Sequence, residues 1–226
     1  MPDALLTVDQ LSKRFQSGGE TVRVIDQLSF GVAAAESMAI IGRSGSGKST
    51  LLNLLCGLET ADSGDISFVG QHFNAMHNAT KPDAASRWAA LRKQTIGVVF
   101  QEANLMPAMT LLENVRLRAS LAGQASGDER HWLEQLGVAT EAHRFPDQVS
   151  GGQRQRAALA MVFAMHPAII LADEPTGSLD RQTAEDVADR LFEVQRDTGC
   201  ALILATHDQA LAARCHHSLD LSGEHG

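Results

Sequence analysis

An α/β fold carrying an inserted helical lobe is predicted by three features of this chain. Short apolar runs rich in β-branched residues alternate with helical patterns, the arrangement of a parallel sheet covered on both faces. A glycine-rich turn at 42–47 stands between one such run and a leucine-rich helix. From about 110 to 165 the pattern is helical with no intervening strand, so this stretch reads as an insertion.

Residues 22–32 and 38–41 are apolar runs rich in β-branched residues and follow turn-forming composition, which predicts two strands. Leucines at 51, 52, 54 and 55 and the closing Gly57 predict a helix over 48–58. A short strand is expected at 65–70. The polar stretch 74–83, with Pro82, reads as a loop leading into a helix at 84–94. Residues 96–100 have the character of a buried strand, and helices are predicted over 110–122, 128–136 and 151–165. The strand pattern resumes at 168–172. A helix over 181–196, a strand over 201–205, a helix over 208–214 and a last extended stretch complete the reading. No repeat or flexible linker interrupts the chain, so 1–226 is expected to be a single domain.

Composition excludes several classes. The 226 residues carry 19 Lys plus Arg against 27 Asp plus Glu, a formal net charge of −8, which argues against a general nucleic-acid coat. It leaves room for a local anion site. Cys56, Cys200 and Cys215 show neither C-x-x-C spacing nor an even count, which fits a reducing compartment. The first residues lack a basic segment followed by an apolar core, so no signal peptide is expected. The longest apolar run, 157–165, is about half of the ~20 residues a spanning helix needs, and no direct membrane insertion is expected. Lysines stand only at 13, 48, 81 and 93, and there is no tyrosine.

Gly42-Arg43-Ser44-Gly45-Ser46-Gly47-Lys48-Ser49-Thr50 fits the P-loop pattern and lies between a predicted strand and helix, where that motif belongs. Its glycines let backbone N–H groups surround a phosphate, and the helix adds the positive end of its dipole. In such a loop Lys48 reaches the β- and γ-phosphates and the Ser49 hydroxyl ligates Mg²⁺. The run 168–172 then delivers Asp173 and Glu174 at a strand's C-terminal edge. There Asp173 can hold Mg²⁺ and Glu174 can deprotonate a water; the competing reading is that both cap the following turn. Ser150-Gly151-Gly152-Gln153 opens a helix with a serine cap and bare glycines, a second anion-binding terminus. Ser178-Leu179-Asp180 and Thr206-His207-Asp208 follow the next elements, with His207 at a strand edge facing the ligand crevice.

These five elements, in this order, resemble the nucleotide-binding subunit of ATP-binding-cassette (ABC) transporters over essentially the whole chain. Ser150-Gly151-Gly152-Gln153 is the most diagnostic match. Within the superfamily, 171–180 (Leu-Ala-Asp-Glu-Pro-Thr-Gly-Ser-Leu-Asp) and 100–107 (Phe-Gln-Glu-Ala-Asn-Leu-Met-Pro) are similar to the lipoprotein-releasing and macrolide-exporter branch (LolD, MacB and YbbA type), and 179–183 and 211–215 to its YbbA-type ATPases. The resemblance implies a P-loop NTPase (RecA-like) core with an N-terminal antiparallel β-subdomain and a helical subdomain at 102–150. It implies an ATPase that takes ATP and Mg²⁺ and forms a homodimer in which Ser150, Gly151 and Gly152 meet the γ-phosphate on the second copy's P-loop. Gln101 would touch Mg²⁺ or the water and sense the membrane partner, Asp180 would cross the dimer axis, and His207 would hold Glu174 and the water in register. An integral membrane permease would dock near Gln101 and the helical lobe, placing the chain at the cytoplasmic face of the inner membrane.

Three departures from the family pattern stand out. Phe15 occupies the position where an aromatic, usually Tyr, stacks on adenine; the π-face is kept and the hydroxyl lost. Val149 replaces Leu before the signature, and Met161-Val162 replaces Arg-Ala in its helix. Elsewhere, Cys215-His216-His217 reads as surface or packing against a metal alternative, and Trp88 and Trp132 as packing anchors against base stacking. Arg116 and Arg118 read as a solvated face, with contact to a partner or acidic lipid as the alternative. A soluble DNA- or ribosome-directed cassette would carry a coiled coil or tandem cassettes, and a GTPase would carry Asn-Lys-x-Asp; neither pattern is present. A cassette driving cell-division or envelope-remodelling machinery without transport is the alternative that remains.

Overall fold

A computed structural model describes residues 4–75, 83–125 and 127–222. The chain divides into two compact units, Met1–Leu91 with Ile203–Gly226, and Arg92–Leu202.

The first unit contains a four-stranded antiparallel sheet in the order β2-β1-β4-β5, built from β1 (Ala4–Ser17), β2 (Glu20–Ala33), β4 (Ser63–Phe68) and β5 (Gln71–Asn74). Neither β1 nor β5 was legible as a strand in the residue pattern. In β1 the reason is a break in the two-residue period: Leu6 and Val8 are buried, but Gln10, at φ +49°, shifts the register and the next buried apolar residue is Leu11. In β5 four residues are too few to establish any alternation. Here too lie β3 (Ser37–Ile41), α1 (Lys48–Leu55) and most of α2 (Asp83–Gln94). So do the last four residues of β8 (Ala201–Thr206), α7 (Gln209–Ala212) and β9 (His217–Asp220). Strand order β8-β3-β9 runs through this unit, with β3 and β9 parallel. The first helix stops at Leu55, three residues short of the predicted span, because Gly57 turns left-handed at φ +65°. The predicted loop at 74–83 falls largely outside the described residues.

Trp88 on α2 is buried, lies over Gly57 and stacks on Phe73 with ring centroids 3.9 Å apart, so it is the packing anchor expected of it. His216 and Ser37 bond reciprocally: the Ser37 N–H donates to Nδ1 at 3.0 Å and the His216 N–H donates to Ser37 Oγ at 3.1 Å. This fastens the chain just ahead of β9 to the start of β3.

The second unit holds β6 (Ile96–Val99) and β7 (Ile169–Asp173), parallel and followed by β8 in the sheet order. Its helices are α3 (Leu111–Ala122), α4 (Glu129–Gln135), α5 (Gly151–Phe163) and α6 (Arg181–Thr198). Thr110 caps α3 through a full capping box with Glu113, and Trp132 packs on Phe163 of α5. Arg118 corrects its sequence reading. Its guanidinium donates to the carbonyls of Arg92 at 2.8 Å and of Lys93 at 2.9 Å, so it closes the end of α2 rather than facing solvent. Among the described residues no helix is long and apolar enough to cross a membrane.

Removing the Trp88 ring leaves Phe73 and Gly57 facing a hole. Trp88→Ala is expected to lower unfolding free energy by about 3–5 kcal/mol, read by chemical denaturation.

Candidate nucleotide site

In the first unit, β3 is buried through Ile40 and releases the chain into the turn at Gly42. Each glycine there has a distinct reason. A Cβ on Gly42 would run into the Ser46 side chain. Gly47, the N-cap of α1, sits at φ +97°, and a Cβ would lie 2.7 Å from Val24 Cγ1. The Ser46 N–H closes the turn on the Arg43 carbonyl at 3.1 Å. Lys48 folds inward: its Nζ donates to the carbonyls of Gly42 at 2.9 Å and Arg43 at 3.1 Å, while Arg43, Ser44, Gly45 and Ser49 are exposed and Thr50 half-buried. Ser46 Oγ is buried and has no hydrogen-bond partner among the described residues. A buried hydroxyl in a cradle of glycine amides beside an ammonium fits a phosphate group, whose oxygens accept from all three donor types.

Phe15 lies on β1 of the same unit. It pairs with Val22 and exposes 38% of its surface. Two residues along β2, about 6.6 Å at strand rise, Val24 rests against Gly47. His207 stands exposed directly after the fully buried β8, in a turn held by the Asp208 N–H donating to Thr206 Oγ1 at 3.0 Å.

The second unit gathers the remaining candidates into two neighbouring sets. Four buried residues of β7 carry Asp173 to the strand's end, half-buried, and Glu174 follows at φ +44°. A glutamate in the left-handed region costs of order 1 kcal/mol or more. A Cβ on Gly177 would lie 3.2 Å from both Gln101 Nε2 and Glu174 Oε2, so the two side chains share the space above that glycine. Ser178 Oγ donates to the Gln101 carbonyl at 3.4 Å.

In the second set, Ser150 caps α5 and exchanges bonds with Gln153. A Cβ on Gly152 would strike Thr183, and one on Gly151 would lie 3.5 Å from Leu179 Cδ2, so the helix start is pressed on the start of α6. Asp180 caps α6, accepting from the Thr183 hydroxyl at 2.7 Å and the Thr183 N–H at 3.1 Å. Those bonds, the hydroxyl's first, hold its carboxyl below the usual aspartate value. Of the residues expected to hold Mg²⁺, Ser49 lies in the first unit and Gln101 and Asp173 in the second.

A family model described as ABC transporter matches residues 25–177. The chain belongs to the ABC transporter ATP-binding family. This cassette is 43% identical over 221 residues to the ABC transporter ATP-binding protein YbbA of Escherichia coli (strain K12), covering 96% of the chain and 94% of that protein. It is 40% identical to the lipoprotein-releasing system ATP-binding protein LolD of Idiomarina loihiensis, covering 94% of the chain and 92% of that protein. The structure also matches the ATP-binding cassette MJ0796, solved as a dimer in a post-hydrolysis state with ADP and Pi, at a TM-score of 0.80 and 33% identity over 96% of this chain and 94% of that one. It is an ABC-type ATPase with a mixed fold of one antiparallel and one parallel sheet.

One structural partner of the cassette's motifs escaped the sequence reading. The buried Gln155 donates from Nε2 to the Phe100 carbonyl at 2.9 Å, fixing the strand end that presents Gln101. Its signal was an amide on the buried face Gly152, Gln155, Leu159 of α5, which only an internal acceptor explains. One of the departures also gains a reason: Val162 packs over Gly97 of β6, where a Cβ would meet it.

Lys48→Ala removes the one ammonium of the cradle. It is expected to weaken ATP binding by two orders of magnitude or more, about 3 kcal/mol, measured by isothermal titration calorimetry; unchanged affinity would refute the cradle.

Proposed function

We propose that this cassette dimerises around two MgATP and, by closing and reopening, drives a separate integral membrane permease at the cytoplasmic face of the inner membrane. The observation that carries it is the start of α5. The Ser150 hydroxyl takes the Gln153 N–H, and the Arg154 N–H bonds the Ser150 carbonyl. That leaves the amides of Gly151 and Gly152 for an acceptor outside the helix. One chain with one P-loop already has a phosphate cradle, so a second set of presented amides fits the γ-phosphate held by another copy. The dimeric relative with ADP and Pi supports the same reading.

In this assembly Lys48 and the amides of 42–50 bind the phosphate chain, and Phe15 stacks on the base. Glu174 removes the proton of the attacking water, positioned by its strained backbone and by Gln101 beside it. His207 contacts the γ-phosphate and Asp180 crosses the dimer axis. Ser49, Gln101 and Asp173 are the residues that would hold Mg²⁺, which would supply charge neutralisation at the phosphate oxygens. The helical lobe at 102–150 and Gln101 form the permease dock; exposed Phe100, Met106 and Phe145 give this region an apolar surface for it. Similarity to LolD supports export or a lipoprotein or envelope role.

Glu174→Gln, which binds but cannot deprotonate, is expected to elute as a dimer with MgATP and as a monomer without it; a variant that stays monomeric overturns the sandwich. The permease reading predicts that the tagged chain, purified from detergent-solubilised membranes of its host, brings down one integral membrane protein in stoichiometric amount.

A further inference from the structure

The strand that carries Phe15 is fastened firmly at the residues just before it. Lys13 is buried, with 8% of its surface exposed, and its Nζ donates to Glu59 Oε1 at 2.8 Å and to the Thr60 carbonyl at 2.7 Å. Alongside, the Arg14 N–H donates to Asp62 Oδ2 at 2.7 Å and the Asp62 N–H donates to the Ser12 carbonyl at 2.9 Å. Four contacts thus clamp Ser12–Lys13–Arg14 to Glu59–Asp62. The same ammonium lies 4.9 Å from the centre of the Phe15 ring, inside cation–π range.

The other side of the clamp leads back to the phosphate cradle. Glu59 closes the end of α1, its N–H and that of Leu58 both donating to the Asn53 carbonyl at 3.1 and 2.9 Å, and α1 opens at Lys48. The aromatic ring and the P-loop are therefore joined by one stiff path: ring, ammonium, carboxylate, helix, loop.

We infer that Lys13 and Glu59 are positioning residues for the nucleotide base, fixing the Phe15 ring at a set distance from the P-loop. The inference rests on the stacking role proposed for Phe15. The lysine holds the ring from within while the ring's exposed surface is left for the base. A buried ammonium is held in place by its carboxylate, since removing Glu59 leaves the buried Lys13 charge without it. The hydrogen bond from Lys13, and then the Thr60 N–H, keep the Glu59 carboxyl below its usual value, consistent with a persistent pair.

The test separates the base from the phosphates. In the full-length wild type, Lys13→Met, Glu59→Gln and Phe15→Ala, affinities for ATP and for inorganic tripolyphosphate are measured by calorimetry, together with KM and kcat for ATP hydrolysis. Lys13→Met is expected to weaken ATP by about tenfold, seen as a raised KM with kcat little changed, and to leave tripolyphosphate within about twofold. Glu59→Gln, which keeps the shape of the clamp, serves the same comparison if Lys13→Met does not fold. Equal loss of both ligands, or loss of neither, overturns the inference. Phe15→Ala is the separate control: if it leaves ATP affinity intact the stacking role itself fails, whereas loss in Phe15→Ala without loss in the clamp variants removes the positioning role alone.

Discussion

The phosphate cradle depends on a turn that must bring the chain from a buried strand into a helix with its amides facing inward. Any side chain at Gly42 or Gly47 would occupy space already filled by Ser46 or by Val24, so the turn is shaped by exclusion as much as by hydrogen bonds. Lys48 reinforces it from inside through the Gly42 and Arg43 carbonyls. Because the amides belong to the backbone, their positions follow from the packing of β2 and β3 around the turn. In the proposed cradle, affinity for phosphate is accordingly a property of the fold, with one lysine adding the charge.

The same economy governs the second unit. Ser150 and Gln153 satisfy each other, Asp180 satisfies the start of α6, and both helix starts are pressed together where Gly152 meets Thr183. A motif of four residues is thereby given a rigid address. Glu174 is the exception, because its backbone sits in a region that a glutamate populates at a cost.

Much of this was legible in the residues because each motif lies at an element boundary where sequence signals are strongest. The serine cap at 150 and the turn at 42–47 fall where they were expected. What was not legible depended on register and on distance in sequence. The long strand β1 hid behind its own bulges at Gln10 and near Lys13, where the two-residue period slips. Arg118 read as a surface cation because nothing in its neighbourhood along the chain reveals the two carbonyls at 92 and 93 that receive it. The left-handed backbone of Glu174 has no residue signature at all, since glycine and asparagine are the residues that announce that conformation.

Lys13 and Lys48 show why an acidic chain can bind a polyanion. With a net charge of −8, the long-range field of this protein opposes a triphosphate, although at physiological salt that field decays over about 8 Å. Both lysines are buried and bonded internally, so neither adds to a surface patch that would draw in extended phosphate backbones. In the proposed cradle the attraction is confined to contact range, where glycine amides and one ammonium are available to a phosphate chain. An extended phosphate backbone, by contrast, meets a protein whose net charge opposes it and whose buried Lys13 and Lys48 offer it no surface patch.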